Sequence, residues 1–516
     1  MPEKVLKKIN EKLLPQWKVC FLSALAVGFL AHFYKITNWL PNWDSLVMRY
    51  DDQNMMMTGR WFLAVACGFS SFYDLPFLNG VLAIIIHGIS AVCICRMLNV
   101  QKTITAFFLG AVIISFPTVT SVMMYNYVAD GYSIAFLLST LAAMYMTGEK
   151  PKCLLPAVMI ALSAGIYQAY ITVTIMLILL KLIDELVFGN VSFGRILKKA
   201  VRMLLTGIFG TALYAITLKI LLGIFSVELL EYQGIGGAAS LSGLDLRASL
   251  YIIKETFRKC FFDISQGINV YVVLNGVVLL VTALFYIGYI VATGFYKNIC
   301  KLLLLMFLTV MLVVGAAALA LINVAVDYHS LMRMGYSVFY VFFLLLYERG
   351  TEKQEKHTAI KCWTVLLTAL VIVVNQIVIS NVSYHKAQMA YERSYGVLIR
   401  IADRIEQTPG AEDCDKILVL GMLENSEQYS VNLTPEITGT TDGYIIRADD
   451  EMVGQSVLCS ALSDYCEKNY TFVIGEEKRL LAQREEIRSM GTWPAGDCVT
   501  VVGDTVVIRL GAETEP

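Results

Sequence analysis

The chain has 516 residues, 57% of them hydrophobic and 16% charged. A soluble domain usually carries about 25% charged residues, so the composition argues against an ordinary soluble protein and for a membrane one. The formal net charge of −1 and the lack of a basic run or stacking-rich basic patch argue against a nucleic-acid partner.

A membrane-spanning helix needs about 20 mostly apolar residues. About eleven segments are read as such spans, near 19–34, 76–95, 103–122, 130–147, 153–169, 170–187, 203–225, 269–294, 302–325, 334–347 and 361–383. The first has a basic flank (Lys4, Lys7, Lys8, Lys12, Lys18) like a signal peptide, but no small-x-small cleavage site follows, so it reads as a retained helix. Positive charge marks cytoplasmic loops. The amino-terminal lysines, Arg96 and Lys102, Lys150 and Lys152, "GRILKKAVR", Lys297 and Lys301, and the cluster from Arg349 to Lys361 fall on one side if the amino terminus is cytoplasmic. The opening loop, the loop 226–268 and the tail then face outward.

The first external loop reads "NWDSLVMRYDDQNMMMTGRW", Asn42 to Trp61. It combines Asp44, Asp51 and Asp52 with Arg49 and Arg60. A helix over 45–57 would put Asp44, Met48, Asp51 and Met55 on one face, with Val47, Met56 and Met57 suited to lie on a membrane surface. The structural alternatives are that Asp44 caps this helix and that Arg49 and Asp52 form a surface pair of little energetic weight.

Asp130, in "YNYVADGYS", opens a span from the outside. It is either a first-turn acid favoured by the helix dipole or a ligand for sugar hydroxyls or a divalent ion together with the loop acids. The long apolar stretch 153–187 is split at "GIYQAY", where Tyr167 and Gln168 suit a sugar face and its hydroxyls, or simply solvate a turn. The glycines of "GIGGAASLSG" (234–243) supply flexibility, not a phosphate-binding fingerprint. In "YHSLMRMGY", Arg333 sits at the outer mouth of a span, where it either binds a lipid phosphate or snorkels. His329 beside it is an interface histidine or a substrate contact.

The tail from about residue 384 is a separate α/β domain. "YERSYGVLIRIADRIEQ" is helical in period, "KILVLG" reads as a strand, and "CVTVVGDTVVIRL" as a hairpin around Gly503-Asp504. Cys414, Cys459, Cys466 and Cys498 could pair there, but their spacing assigns no disulfide. No zinc-ligand spacing, nucleophile elbow or nucleotide-binding loop occurs, which argues against a nucleotide-sugar donor. The spans carry few ionisable groups at mid-depth, where a coupled transporter would have them. The polar residues gather instead at the outer boundary.

"NWD", then "GRW", "ADGYSIAF" and "SAGIYQAY", in that order, resemble the Gtr-type serotype-converting O-antigen glucosyltransferases, multi-span glycosyltransferases of the GT-C fold. The resemblance covers most of the membrane part. It implies an all-α polytopic membrane domain (1–383) with a small extracytoplasmic α/β domain (384–516), in the plasma membrane with a cytoplasmic amino terminus. It further implies a polyprenyl-phosphate hexose donor, glucose by the family's name, an external glycan acceptor such as O-antigen, and catalysis by an acid of the first external loop. Asp44 matches that position best, and Asp51 and Asp52 follow close behind. Transfer needs a carboxylate base and cations for the departing phosphate, for which Arg60, Arg333 and then Arg49 are the candidates. Direct displacement would invert the anomeric centre. The residues assign no cofactor, although a divalent cation fits the acids. A lipid-linked sugar flippase and a polysaccharide polymerase are the rival readings.

Overall fold

Every apolar segment of the sequence contributes a helix in the computed structural model, which describes residues 2–4, 11 and 13–511 other than 150, 190, 231–244, 265–267, 326, 351–357, 422, 424–434, 436 and 440–450. The glycine-rich stretch 234–243 therefore lies outside the described residues. The chain divides into two units. The first comprises Met1–Thr37, Asp52–Val382 and Asn432–Thr438; the second comprises Asn38–Asp51, Ser383–Val431 and Gly439–Pro516.

The first unit is helical: α1 (Pro15–Thr37), α2 (Pro76–Met97), α3 (Thr103–Ser115), α4 (Pro117–Met124), α5 (Ala129–Thr147), α6 (Leu154–Ile166), α7 (Ile171–Val187), α8 (Phe193–Phe225), α9 (Leu246–Phe261), α10 (Val270–Ala292), α11 (Ile299–Ala316), α12 (Ser337–Gly350) and the first part of α13 (Thr358–Glu406). Among the described residues, seven helical stretches are long and apolar enough to cross a membrane. These are α1, α2, Asn126–Thr147, α8, α10, α11 and Cys362–Glu406. The pair α3 and α4, bent by 42°, makes an eighth if taken as one span. The bend has a local cause. Pro117 opens α4 and cannot donate to the preceding turn, and Phe116 before it is held extended at ψ 135. Helices α6, α7 and α12 have 13, 17 and 14 residues and fall short of a full span. At about 1.5 Å per residue, 13 residues reach only about 20 Å. The eleven apolar segments are thus helices, but not all are full-length spans.

Close packing of α1 on α3 depends on a small residue. A Cβ on Gly110 would overlap the Cys20 carbonyl, and the Ser23 hydroxyl donates to Phe107 O at 2.6 Å across the same interface. Small residues at such crossings let helices approach where lipid gives no hydrophobic drive. Helices α8, α10 and α11 carry exposed apolar side chains, Leu204, Ile220, Leu280 and Leu303 among them, as a lipid-facing surface requires. At one end of the unit, charges lock the helices together. Asp184 of α7 accepts from Arg349 Nε at 2.9 Å and Nη2 at 3.2 Å. Glu348 accepts from the amide of Gln101 at 2.8 Å and the hydroxyl of Thr105 at 2.6 Å, closing the start of α3.

The second unit holds β1 (Lys416–Leu420), α14 (Glu451–Cys466), β2 (Thr471–Phe472), β3 (Val499–Val502) and β4 (Thr505–Arg509), in sheet order β2-β1-β4-β3. β1 is parallel to β2 and β4, and β3–β4 is the antiparallel hairpin. Gly503, at φ 66, supplies the tight turn between Val502 and Thr505. Strand β1 is continuously apolar because both faces are covered. Ile417 and Val419 enter a core with Leu398, Ile401 and Leu458, while Leu418 and Leu420 enter one with Ile487 and Val507. Cys414, Cys459, Cys466 and Cys498 are free thiols.

Candidate functional site

The loop Asn42–Trp61 does not form one helix over 45–57. Its helix is Trp43–Val47. Asn42 caps it, its Oδ1 accepting from the Ser45 amide at 2.9 Å, so Asp44 lies inside the first turn and is not the cap. Two local features further along exclude a helix running through 57. Gln53 takes the left-handed conformation at φ 60, and Asp52 Oδ1 accepts from its own neighbour, the Asn54 amide, at 2.9 Å. Such a short-range bond competes with helical pairing. Asp44 and Asp51 therefore share no helical face. Both belong to the second unit with Arg49, whereas Asp52 begins the first unit's next stretch. Arg49 does not pair with Asp52. Its Nη1 donates to Asp464 at 3.2 Å and its guanidinium lies 4.5 Å over Trp39.

In the first unit, a tight turn carries Arg60. Met55 and Arg60 pair as an isolated antiparallel bridge, and Gly59 between them has φ 78. The turn is held from two sides. Gln168 Nε2 donates to Thr58 O at 3.1 Å and to the Tyr214 hydroxyl at 3.0 Å, and that hydroxyl donates to Gly59 O at 3.1 Å. Gln168 is placed by the break between α6 and α7, where Tyr167 is extended at φ −156 and ψ 116. The break presents Tyr167 flat on Tyr132, ring centres 4.6 Å apart at 4°. Arg60 spans this pair. Its Nη1 donates to the Tyr132 hydroxyl at 3.2 Å and its guanidinium carbon lies 4.8 Å over the Tyr167 ring.

His329 and Arg333 lie in the segment before α12. Arg333 is buried, its Nε and Nη2 donating to Tyr328 O at 3.1 and 2.7 Å. Burial, against the pull of Asp327 and with the push of the Arg333 and Arg60 cations, holds the His329 pKa down to about 4, so its ring is neutral at neutral pH. Among the described residues no group hydrogen-bonds its Nδ1. The electrostatic reach of Arg60 to His329 ties this segment to the Arg60 turn. Ser330, next to His329, bonds the Thr438 hydroxyl at 2.7 Å, so Thr438, a residue of the tail, belongs with the first unit.

Asp130 is fully buried at the start of α5, where the Ser70 hydroxyl and the Gly131 amide face its carboxyl. A second buried group, not singled out in the sequence, stands at the same helix ends. Asn126 Nδ2 donates to Asp74 Oδ1 at 2.7 Å, and Asp74 acts electrostatically on Lys35, which is 1% exposed. Lys35 was legible as an ionisable residue ending an apolar run. Tyr132 was not: it sits in a span like any interfacial tyrosine. Among the described residues no group of three or more His, Cys, Asp or Glu side chains is arranged to hold a metal ion.

A family model described as "Glucosyl transferase GtrII" matches residues 33–342, more than half of the chain. It includes the Arg60 turn, Asp130, the α6–α7 break and the His329–Arg333 segment. No curated protein and no solved structure matches.

Proposed function

The chain belongs to the GtrII glucosyl transferase family, and on that premise we propose that it moves a hexose, glucose by the family's description, from a polyprenyl-phosphate carrier to a glycan hydroxyl at the external face of the membrane. The observation that carries this reading is the clamp on Arg60. A guanidinium held by Tyr132 and Tyr167, whose charge acts on neutral His329, lies eight residues after an exposed carboxylate, Asp52. Asp52 takes the proton of the acceptor hydroxyl as its oxygen bonds to the anomeric carbon. The bond from that carbon to the phosphate oxygen breaks, and the configuration inverts. The electron pair leaves with the lipid phosphate, whose charge Arg60 and Arg333 offset. Asp130 and Tyr167 line the sugar position. Gln168 holds the turn. Asp51 and Asp44, in the second unit, are the alternative bases. A divalent cation at these carboxylates would bind the phosphate, but no step here is routed through one.

The test is transfer from labelled polyprenyl-phosphate glucose by the purified protein in lipid. Transfer should fall at least about 1,000-fold in Asp52→Asn, the size expected when a positioned base and its charge are removed together. Full-rate transfer by each of Asp44→Asn, Asp51→Asn and Asp52→Asn would overturn the reading. Flipping of the labelled lipid without transfer would favour a flippase.

A further inference from the structure

The second unit contains a cavity of about 420 Å³ between the helix Trp43–Val47 with its following turn and helix α14. Its walls include Tyr50, Asp51, Ser463, Asp464, Asn469 and Tyr470. We propose that this cavity is a binding site for a neutral, hydroxyl-rich glycan, the acceptor of the reaction above; the inference rests on that reading for the word acceptor, but not for the binding itself.

Three observations point to this ligand class. The first is the charge of the walls. Two carboxylates line the cavity, and no lysine or arginine does. Arg49, just outside, is held by Asp464 and Trp39. A phosphate or other anion would meet repulsion, whereas sugar hydroxyls donate to carboxylates and accept from an amide. The second is the aromatic surface. Tyr50 is 71% exposed, and Tyr470 also lines the cavity. An aromatic ring with a polar tip suits the C–H face of a sugar with its flanking hydroxyls. The third is rigidity. Leu46 is buried in the core with Leu458 and Leu462. Trp39 Nε1 donates to the Tyr465 hydroxyl at 3.1 Å, and Ser463 donates to Asn469 Oδ1 at 2.6 Å, which orients the amide. A pre-formed concave site with a few fixed polar groups is the usual form of a small-ligand site. Asp51 in its wall directly precedes Asp52 in the chain.

The experiment measures binding of neutral polysaccharide, extracted from the envelope of the source cells, to the detergent-solubilised full chain. The wild type should bind. Ser463→Trp, which fills the cavity, should weaken Kd at least tenfold, and Asn469→Leu should weaken it severalfold. Wild-type protein that does not bind, or variants that bind within twofold of it, overturn the site. Should Ser463→Trp fail to fold, the exposed Asn469 position decides alone. Asp52→Asn separates the two readings: it should bind polysaccharide as the wild type does while transferring no sugar. Transfer that persists in Asp52→Asn counts against the proposed base and leaves the cavity to be judged on binding.

Discussion

The guanidinium of Arg60 rests 4.8 Å over the ring of Tyr167, and that ring in turn stacks on Tyr132, whose hydroxyl accepts from Arg60. One cation is thus fixed by two aromatic residues, one from α5 and one from the α6–α7 break. A planar guanidinium can stack and donate at the same time, whereas a lysine ammonium cannot. Arg60→Lys should therefore lower kcat/KM for the lipid-linked donor about 100-fold, equivalent to about 2.7 kcal/mol. Steady-state kinetics against labelled donor reads this. A variant within threefold of wild type would show that Arg60 does not act on the phosphate.

Gly59 places Arg60. At φ 78 it occupies a region where a Cβ costs about 1–2 kcal/mol, and that Cβ would lie 2.7 Å from the Tyr214 hydroxyl and 2.8 Å from Gln168 Nε2. Gly59→Ala should lower the melting temperature in detergent and reduce transfer by at least tenfold. Tyr214→Phe, which removes only the hydroxyl that donates to Gly59 O, should have a smaller effect in the same direction.

Glu348 carries a structural load away from the site. It is 3% exposed and receives two backbone amides and the Thr105 hydroxyl. Removing the carboxylate leaves these donors without their acceptor, at about 1–3 kcal/mol, so Glu348→Ala should destabilise the protein by about that amount. Thermal unfolding in detergent measures it. Donor KM should not change, because the lesion lies far along the chain from the Arg60 turn and touches none of its partners.

His329 makes stability depend on pH. Its pKa is near 4 in the folded protein, against about 6.5 when unfolded. The unfolded chain therefore binds more protons between these values, and stability rises with pH across that window. The contribution is present in full above about pH 6.5 and is lost as pH falls through about 4. His329→Gln should flatten the slope of melting temperature between pH 4 and 6.5. An unchanged slope would show that His329 does not carry the effect.

Much of this was legible in the sequence because it is local. Apolar runs gave the helices, β-branched runs the strands, Gly503-Asp504 the hairpin, and the ordered short motifs the family that the match to residues 33–342 shows. The helix expected over 45–57 failed for a local reason as well: an Asx bond at Asp52 and a left-handed Gln53 interrupt it, and propensity does not register either. Apolarity marks which segments leave water without fixing helix length: α6 is as apolar as a span but ends where Tyr167 turns extended.

Tertiary structure decided what no local signal contains. Arg60 meets Tyr132 across 72 residues and Gln168 meets Thr58 across 110. Arg49 reaches Asp464 across 415 and braces the second unit. Sequence determines which segments must leave water and which side chains could bear charge, since both follow from composition over one or two turns. Which charges face one another depends on how the helices cross, and that is set by packing at contacts such as Gly110 on Cys20, between residues far apart in the chain.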